Sequence, residues 1–426
     1  MVVLNFIINN ILTQAAVVIG LIACLGLALQ KKSAGTVVSG TLKTMLGFLV
    51  LSAGSSVIQS SLTFFGAAFN AAFHMKEGAV VASIEAINGQ AMSDLGLGGE
   101  IAITLAGIFV VNVILARVTK FKYIFLTGQA LLWESTLCVV FAYFLGLRGL
   151  PLILIGSIVG GVFATLMPAL AQPIMRQITG SDDIALGHLC TVGYIVSAMV
   201  AKVTGDKSKS AEDIQLPKSL EFLQDTYLSV MTVMIPFYLI TAAFAGAEAC
   251  APFAGSTNHI VYAFLQALQF VTGLYVLMAG VRMLLAEIVP AFQGISMKLV
   301  PDSKPALDCP VLFPYAPNSV ILGFVFTTIG SLIGMLISPI FGAFVIPGVM
   351  SNFFAGGTAG IFANQMGGRR GVVIGCIVHG IFIMILPAML SPMLAQIGFV
   401  NVTCTDVDTI ITGFFFMLIK SVVGFF

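Results

Sequence analysis

The sequence predicts an all-α integral membrane protein of about eleven transmembrane helices with re-entrant pieces, and three observations carry that expectation. Apolar residues fill 58% of the 426 positions and charged residues only 9%, whereas a soluble domain usually needs about 25% charged residues to wet its surface. The apolar residues fall in runs close to the roughly 20 that a helix needs to cross the hydrocarbon core. Further runs are interrupted by glycine and proline, which relax the chain or remove a donor and so break ordinary spans.

In chain order the clear spans are residues 11–29, 42–58, 101–115, 151–170, 227–247, 260–280, 319–340, 371–390 and 409–426. The first has no basic stretch before a small-residue cleavage site, so it reads as a retained span and not as a signal peptide. The interrupted segments are 124–145, 184–200, 309–317 and 344–365. With the N-terminus outside and the C-terminus cytoplasmic, Lys31, Lys32, Lys43, Arg117, Lys120, Lys122, Lys202, Lys207, Lys209, Lys218, Arg282, Lys298, Lys304, Arg369 and Arg370 all face the cytoplasm. These are most of the 19 lysines and arginines, and Lys76 and Arg148 fall opposite, as the positive-inside rule requires. The same rule thus enters the span boundaries as well as the orientation.

Residues 202–226, with the charged run Asp206 to Asp213, read as a solvated cytoplasmic connector between two membrane halves, 1–201 and 227–426. The halves share an order of elements. Leu51-Ser52-Ala53-Gly54 closes an apolar run and leads into an amphipathic stretch, and so does Leu277-Met278-Ala279-Gly280. Two inverted repeats with discontinuous helices meeting near the midplane are a common transporter plan.

Four places break the helical pattern inside apolar surroundings: Leu126 to Gln129, Leu186 to His188, Asp308 to Asn318, and Ala355 to Gln365. Irregular backbone survives there only when it is buried in protein or lines a wet cavity. Helix ends at such breaks direct N–H and C=O groups inward, which suits a polyol or an anion. Ionisable side chains in the same places are functional candidates because they are costly in hydrocarbon. Asp308 stands out, followed by a Cys-Pro break and also suited to cap the next helix. His188 and Glu134, beside Trp133, come next, with a satisfied structural role as the competing reading for each.

Other classes are excluded or unsupported. Net charge is +1, with no basic field for nucleic acid. Seven cysteines are scattered without metal-ligand spacing and read mostly as buried hydrophobes; Cys250 and Cys404 read as lying in polar loops, able to pair if both loops face an oxidising side. No metal or organic cofactor motif, nucleophile elbow or nucleotide loop is present, so the chain is not a self-contained ATP-driven pump.

The series Gly40-Thr41-Leu42-Lys43-Thr44, Ala53-Gly54-Ser55, Leu126-Thr127-Gly128, Gly187-His188, Gly280-Val281-Arg282-Met283, Asp308-Cys309, Ala316-Pro317-Asn318 and Phe362-Ala363-Asn364 runs along nearly the whole chain. In it the sequence resembles the ascorbate-type IIC permease of the bacterial phosphotransferase system, within the ascorbate and galactitol superfamily. The resemblance implies a homodimer in the bacterial inner membrane, each protomer with a scaffold domain and a substrate-carrying core domain that moves against it. It implies a partner IIB protein, charged through IIA upstream, whose phosphorylated cysteine donates the phosphoryl group to the sugar; the IIC chain itself is not phosphorylated. Carried over by position, the substrate contacts are Ala53, Gly54, Ser55, Gln129, Trp133, His188, Asp308, Asn318 and Asn364. Where ascorbate members have a histidine this chain has Gln129, and Trp133, Glu134 and Leu189 also replace the expected polar residues. A lost hydrogen bond to a buried polar group costs ~1–3 kcal/mol, so the implied substrate is L-ascorbate or a related sugar acid or polyol. The alternative from another class is an ion-coupled secondary transporter with Asp308 or Glu134 as its ion site.

Overall fold

Unbroken apolar stretches become long helices, and three of the four expected breaks adjoin a short strand that leads into a new helix. The computed structural model describes residues 15–73, 79–214, 222 and 225–423. Its first half runs α1 (Ala15–Leu29), α2 (Ala34–Phe73), β1 (Val80–Ala82), α3 (Ile84–Ser93), α4 (Gly98–Val118), β2 (Tyr123–Phe125), α5 (Gly128–Phe144), α6 (Gly149–Thr179), β3 (Ala185–Leu186) and α7 (Thr191–Thr204). The second runs α8 (Thr226–Ala254), α9 (His259–Leu299), β4 (Lys304–Leu307), α10 (Pro317–Ile337), β5 (Val345–Ile346), α11 (Val349–Gln396), β6 (Val402–Thr403) and α12 (Val407–Val423). Two single 3-10 turns, Cys309–Val311 and Phe313–Tyr315, stand between β4 and α10.

The protein is a mainly helical integral membrane protein. Among the described residues seven helices are long and apolar enough to span a bilayer: Ala34–Phe73, Gly98–Val118, Gly149–Thr179, Val230–Ala254, His259–Gly280, Pro317–Phe341 and Ser351–Gln396. Gly128–Phe144 and Thr191–Thr204 are apolar but shorter, as the interrupted runs suggest. Parts of the expected first and last spans (11–14 and 424–426), His74, Lys76 and Lys218, and the side chains of Ser55 and Glu287, lie outside the described residues.

The strands build two small parallel sheets, ordered β5-β1-β6 and β2-β4-β3. In each sheet the central strand comes from one half of the chain and both flanking strands from the other. Pairing satisfies backbone groups that the breaks set free, which is why short strands form beside them.

Two long helices, α2 with 40 residues and α9 with 41, pack on each other along their length. Their crossing needs glycine: a Cβ on Gly54 would lie 2.3 Å from the backbone nitrogen of Leu277, and one on Gly273 would lie 3.0 Å from the Gly54 carbonyl oxygen. The amphipathic stretches after both Leu-x-Ala-Gly motifs continue these helices without interruption. Close packing through small residues recurs between α10 and α11, where a Cβ on Gly323 would meet the Gly356 oxygen at 2.3 Å and one on Gly356 would meet the Thr327 side chain at 2.8 Å.

That packing corrects the fourth expected break. Ala355-Gly356-Gly357-Thr358 is regular helix inside α11, because its glycines serve helix contact. The chain instead departs from helix before Val349, at β5, and at Gly368, whose φ of 57° is open to glycine. A second expectation also changes: all seven cysteines are free, so Cys250 and Cys404 do not bridge, and Cys250 lies buried inside α8 instead of in a polar loop.

The connector is held down over much of its described length. The Asp206 N–H donates to the Gly367 oxygen at 2.8 Å, the Arg369 N–H donates to the Lys209 oxygen at 2.8 Å, and Ala211 is fully buried. A side chain at Gly368 would strike the Asp206 and Lys209 oxygens, so the glycine serves both the kink and the passing strap.

Candidate functional site

The ends of the strands set the site. The α5 helix starts directly after β2 and carries Gln129 and Trp133 on successive turns of one face, as i and i+4. His188 follows β3, and Asp308 follows β4. Because β4 lies between β2 and β3, these three segments end side by side.

There Gln129 Nε2 donates to Asp308 Oδ2 at 2.7 Å. The other carboxylate oxygen of Asp308 accepts the Cys309 N–H at 2.8 Å, so the aspartate does cap the turn that follows it. His188 Nε2 stands 4.0 Å from Asp308 Oδ1, beyond hydrogen-bond reach. Its ring is set from the other side by the Tyr194 hydroxyl, 2.6 Å from Nδ1. Tyr194 is fully buried on α7 and also approaches Cys309 Sγ at 3.5 Å.

Gln129, Trp133 and His188 line one cavity with Glu85, Leu189, Ser351 and Asp406. Its free volume is about 30 Å³, room for a water or two and closed to a sugar. The second wall comes from the ends of the other sheet. Glu85 follows β1 and accepts the Ser83 hydroxyl at 2.7 Å, Ser351 follows β5, and Thr405 and Asp406 follow β6. Ser351 and Thr405 share a hydrogen bond of 2.6 Å. A face of amide, indole and imidazole thus opposes one of hydroxyls and carboxylates, with no lysine or arginine among the residues that line the cavity. Such a set can bind several hydroxyls in fixed orientation, and Trp133 offers a flat apolar surface to a carbon skeleton.

Helix N-termini here are supplied with carboxylates by distant parts of the chain. Asp408, on α12, accepts the Thr191 and Val192 N–H groups at 2.6 and 2.8 Å and so caps α7. Glu134 is buried on the same helix as Gln129, accepting the Cys138 thiol at 3.2 Å while its Oε2 has no partner.

The remaining expected contacts lie elsewhere. Ala53 and Gly54 sit within α2, Gly54 at the crossing with α9. The Asn318 side chain donates to the Ile214 oxygen at 2.8 Å, and Asn364 Oδ1 accepts the Ala211 N–H at 2.8 Å, so both asparagines fasten the connector. Glu212 completes that attachment, accepting from the Asn318 and Ser319 N–H groups at 3.0 and 2.9 Å and from the Ser319 hydroxyl at 2.6 Å at the start of α10. Tyr194, Glu85, Ser351 and Asp406 were missed as site residues. The signal for the two acids was present, an ionisable residue beside an apolar run; Ser351 and Tyr194 carried none.

Outside the spans, Asp182 joins the segment before β3 to β4. It accepts from Arg176 Nε at 2.7 Å and Gln172 Nε2 at 2.8 Å, and pairs with Lys304. Those donors, Arg176 first, hold its carboxyl well below the usual carboxylate range.

Broken helices closing on a small polar cavity inside a membrane protein define a transport component. A family model described as the PTS system sugar-specific permease component matches residues 10–408, and the chain belongs to that family. It is similar to a Mycoplasma pneumoniae protein named Ascorbate-specific PTS system EIIC component, 27% identical over an alignment 418 residues long that covers 86% of this chain and 63% of that protein. The chain therefore spans less than two thirds of that relative's length.

Proposed function

We propose that this chain binds L-ascorbate, or a related sugar acid or polyol, in the cavity between the two sheets and carries it across the bacterial inner membrane, where a phosphorylated IIB partner, charged through IIA, phosphorylates it. The observation that supports this best is the convergence of Gln129, Trp133 and His188 with Glu85, Ser351 and Asp406 around one small cavity. At about 30 Å³ the cavity must widen to admit any sugar, which suits a carrier and not a permanent pore. Phosphorylation traps the product as an anion and makes uptake effectively one-way.

The reciprocal strand orders support two inverted repeats, 1–201 and 227–426, joined by the connector 202–226. Replacing each strand of the first half by its counterpart in the second turns β5-β1-β6 into β2-β4-β3. In this reading about eleven crossings divide into a scaffold containing α2 and α9, through which the homodimer forms, and a core of broken helices that rocks against it. The N-terminus lies outside and the C-terminus in the cytoplasm, which places Lys122, Lys304 and the strapped connector on the cytoplasmic side, where IIB docks.

A second reading, ion-coupled secondary transport, draws support from the buried Glu134 and its unpartnered Oε2. Membrane vesicles decide between them. Uptake of radiolabelled L-ascorbate that needs phosphoenolpyruvate and the IIA and IIB proteins, and that delivers phosphorylated product, sustains the first. Uptake of unmodified substrate that collapses with the proton or sodium gradient sustains the second.

A further inference from the structure

One donor set in the site is richer than hydroxyl recognition requires. His188 Nε2, Asp308 Oδ1 and Cys309 Sγ all lie within 4.8 Å of one another. We propose that these three side chains form a binding site for a thiophilic divalent cation, with Zn2+ as the reference ion, and that the ion and the sugar exclude one another. The exclusion rests on the sugar-site reading above; the metal site does not.

A nitrogen, a carboxylate oxygen and a sulfur on closely spaced segments are the ligand types that zinc takes, whereas magnesium and calcium prefer oxygen alone. Neighbouring donors around a tetrahedral zinc stand about 3.3–3.8 Å apart, so the observed spacing, within 4.8 Å, needs closure of at most about 1.5 Å. The 4.0 Å gap between His188 Nε2 and Asp308 Oδ1 is too long for a hydrogen bond and leaves a lone pair on each side for an ion. Tyr194 supplies the outer contact that orients a metal-binding imidazole: with Nδ1–H donating to the phenolic oxygen at 2.6 Å, Nε2 is the free ligand atom. Gln129 holds the other oxygen of Asp308 and keeps that carboxylate in place. The Cys309 sulfur is buried, and access comes from the His188 and Asp308 side, where both side chains retain exposure of 13% and 26%.

On binding, the Cys309 thiol gives its proton to solvent as the sulfur–metal bond forms; no electron moves. Three protein ligands leave a fourth position for water. The ion would fasten the segment after β3 to the turn after β4 and hold the cavity closed, while occupying the groups assigned to the sugar.

The test uses the purified full-length protein in detergent with Co2+ as a spectroscopic stand-in for Zn2+. Wild type should show a saturable thiolate-to-cobalt charge-transfer band, erased by Zn2+ but not by Mg2+. Cys309→Ser should lose that band and bind Zn2+ at least tenfold more weakly, while binding radiolabelled L-ascorbate as wild type does. Cys190→Ser, whose sulfur lies 3.8 Å from His379 Nε2 in the neighbouring packing, should keep the band. Absence of the band in wild type, or its survival in Cys309→Ser, overturns the metal site. Loss of the band in Cys309→Ser, with no ascorbate binding to wild type under any metal condition, sustains the metal site and sinks the sugar reading instead.

Discussion

Gln129 donates to Asp308 across 2.7 Å, and this one hydrogen bond ties the start of α5 in the first half of the chain to the turn after β4 in the second. Because Asp308 also caps its own turn through Cys309, it serves structure and site together.

The two roles separate in Asp308→Asn. An asparagine oxygen still accepts the Cys309 N–H, so the fold should persist with little change in Tm. The charge and one acceptor facing Gln129 and His188 are lost, and L-ascorbate binding should weaken at least tenfold, about 1.4 kcal/mol or more. Equilibrium binding beside a melting curve checks it; unaltered affinity would remove Asp308 from the site.

His188→Ala should reduce affinity more than it lowers Tm. Tyr194 loses its 2.6 Å partner in this variant, so some destabilisation is expected as well. Tyr194→Phe isolates that part: it keeps the imidazole but releases its orientation, and should weaken binding by less than His188→Ala. A larger drop in Tm than in affinity for His188→Ala would mark a structural histidine.

Glu212, on the connector, accepts three hydrogen bonds from Asn318 and Ser319 at the start of α10. Glu212→Ala should cost about 1–3 kcal/mol, the scale of a lost helix cap with charged hydrogen bonds. It should also speed proteolysis within the connector. Limited proteolysis at an unchanged rate would show that the strap is held without Glu212.

Gly54→Ala places a methyl 2.3 Å from the backbone of Leu277, where no rotamer change relieves it. Separation of α2 from α9 should lower stability by about 1–3 kcal/mol, read as reduced Tm in detergent. Gly35→Ala, with open space around it, is the matched control on the same helix and should be neutral.

Asp182 gives a pH signature. Its carboxyl is held below the ordinary range by Arg176, Lys304 and Gln172. A depressed folded-state value means that the stabilisation is present above the unfolded carboxylate pKa and disappears as pH falls through the folded value. Wild type should therefore exceed Asp182→Asn in Tm at neutral pH and lose that margin only in strongly acidic buffer. The margin should be small, since the aspartate side chain is 42% exposed and solvent screens the pair.

What the residues alone determined is the part governed by local chemistry. Apolar length specifies a membrane protein, because a helix must match the thickness of the hydrocarbon. Glycine and proline beside polar residues located three of the four breaks, and with them Gln129, His188 and Asp308, which the structure brings into one neighbourhood. The fourth break was misread because glycine serves two ends, loosening a chain or letting helices touch, and only the neighbour distinguishes them: Gly356 faces α10. Likewise Asn318 and Asn364 carry the same chemistry as a site asparagine, yet tertiary packing places them on the connector. The exchanged strands and the opposing wall of Glu85, Ser351 and Asp406 belong to the tertiary structure entirely. They pair segments hundreds of residues apart, and no local pattern encodes which partner a short strand will find.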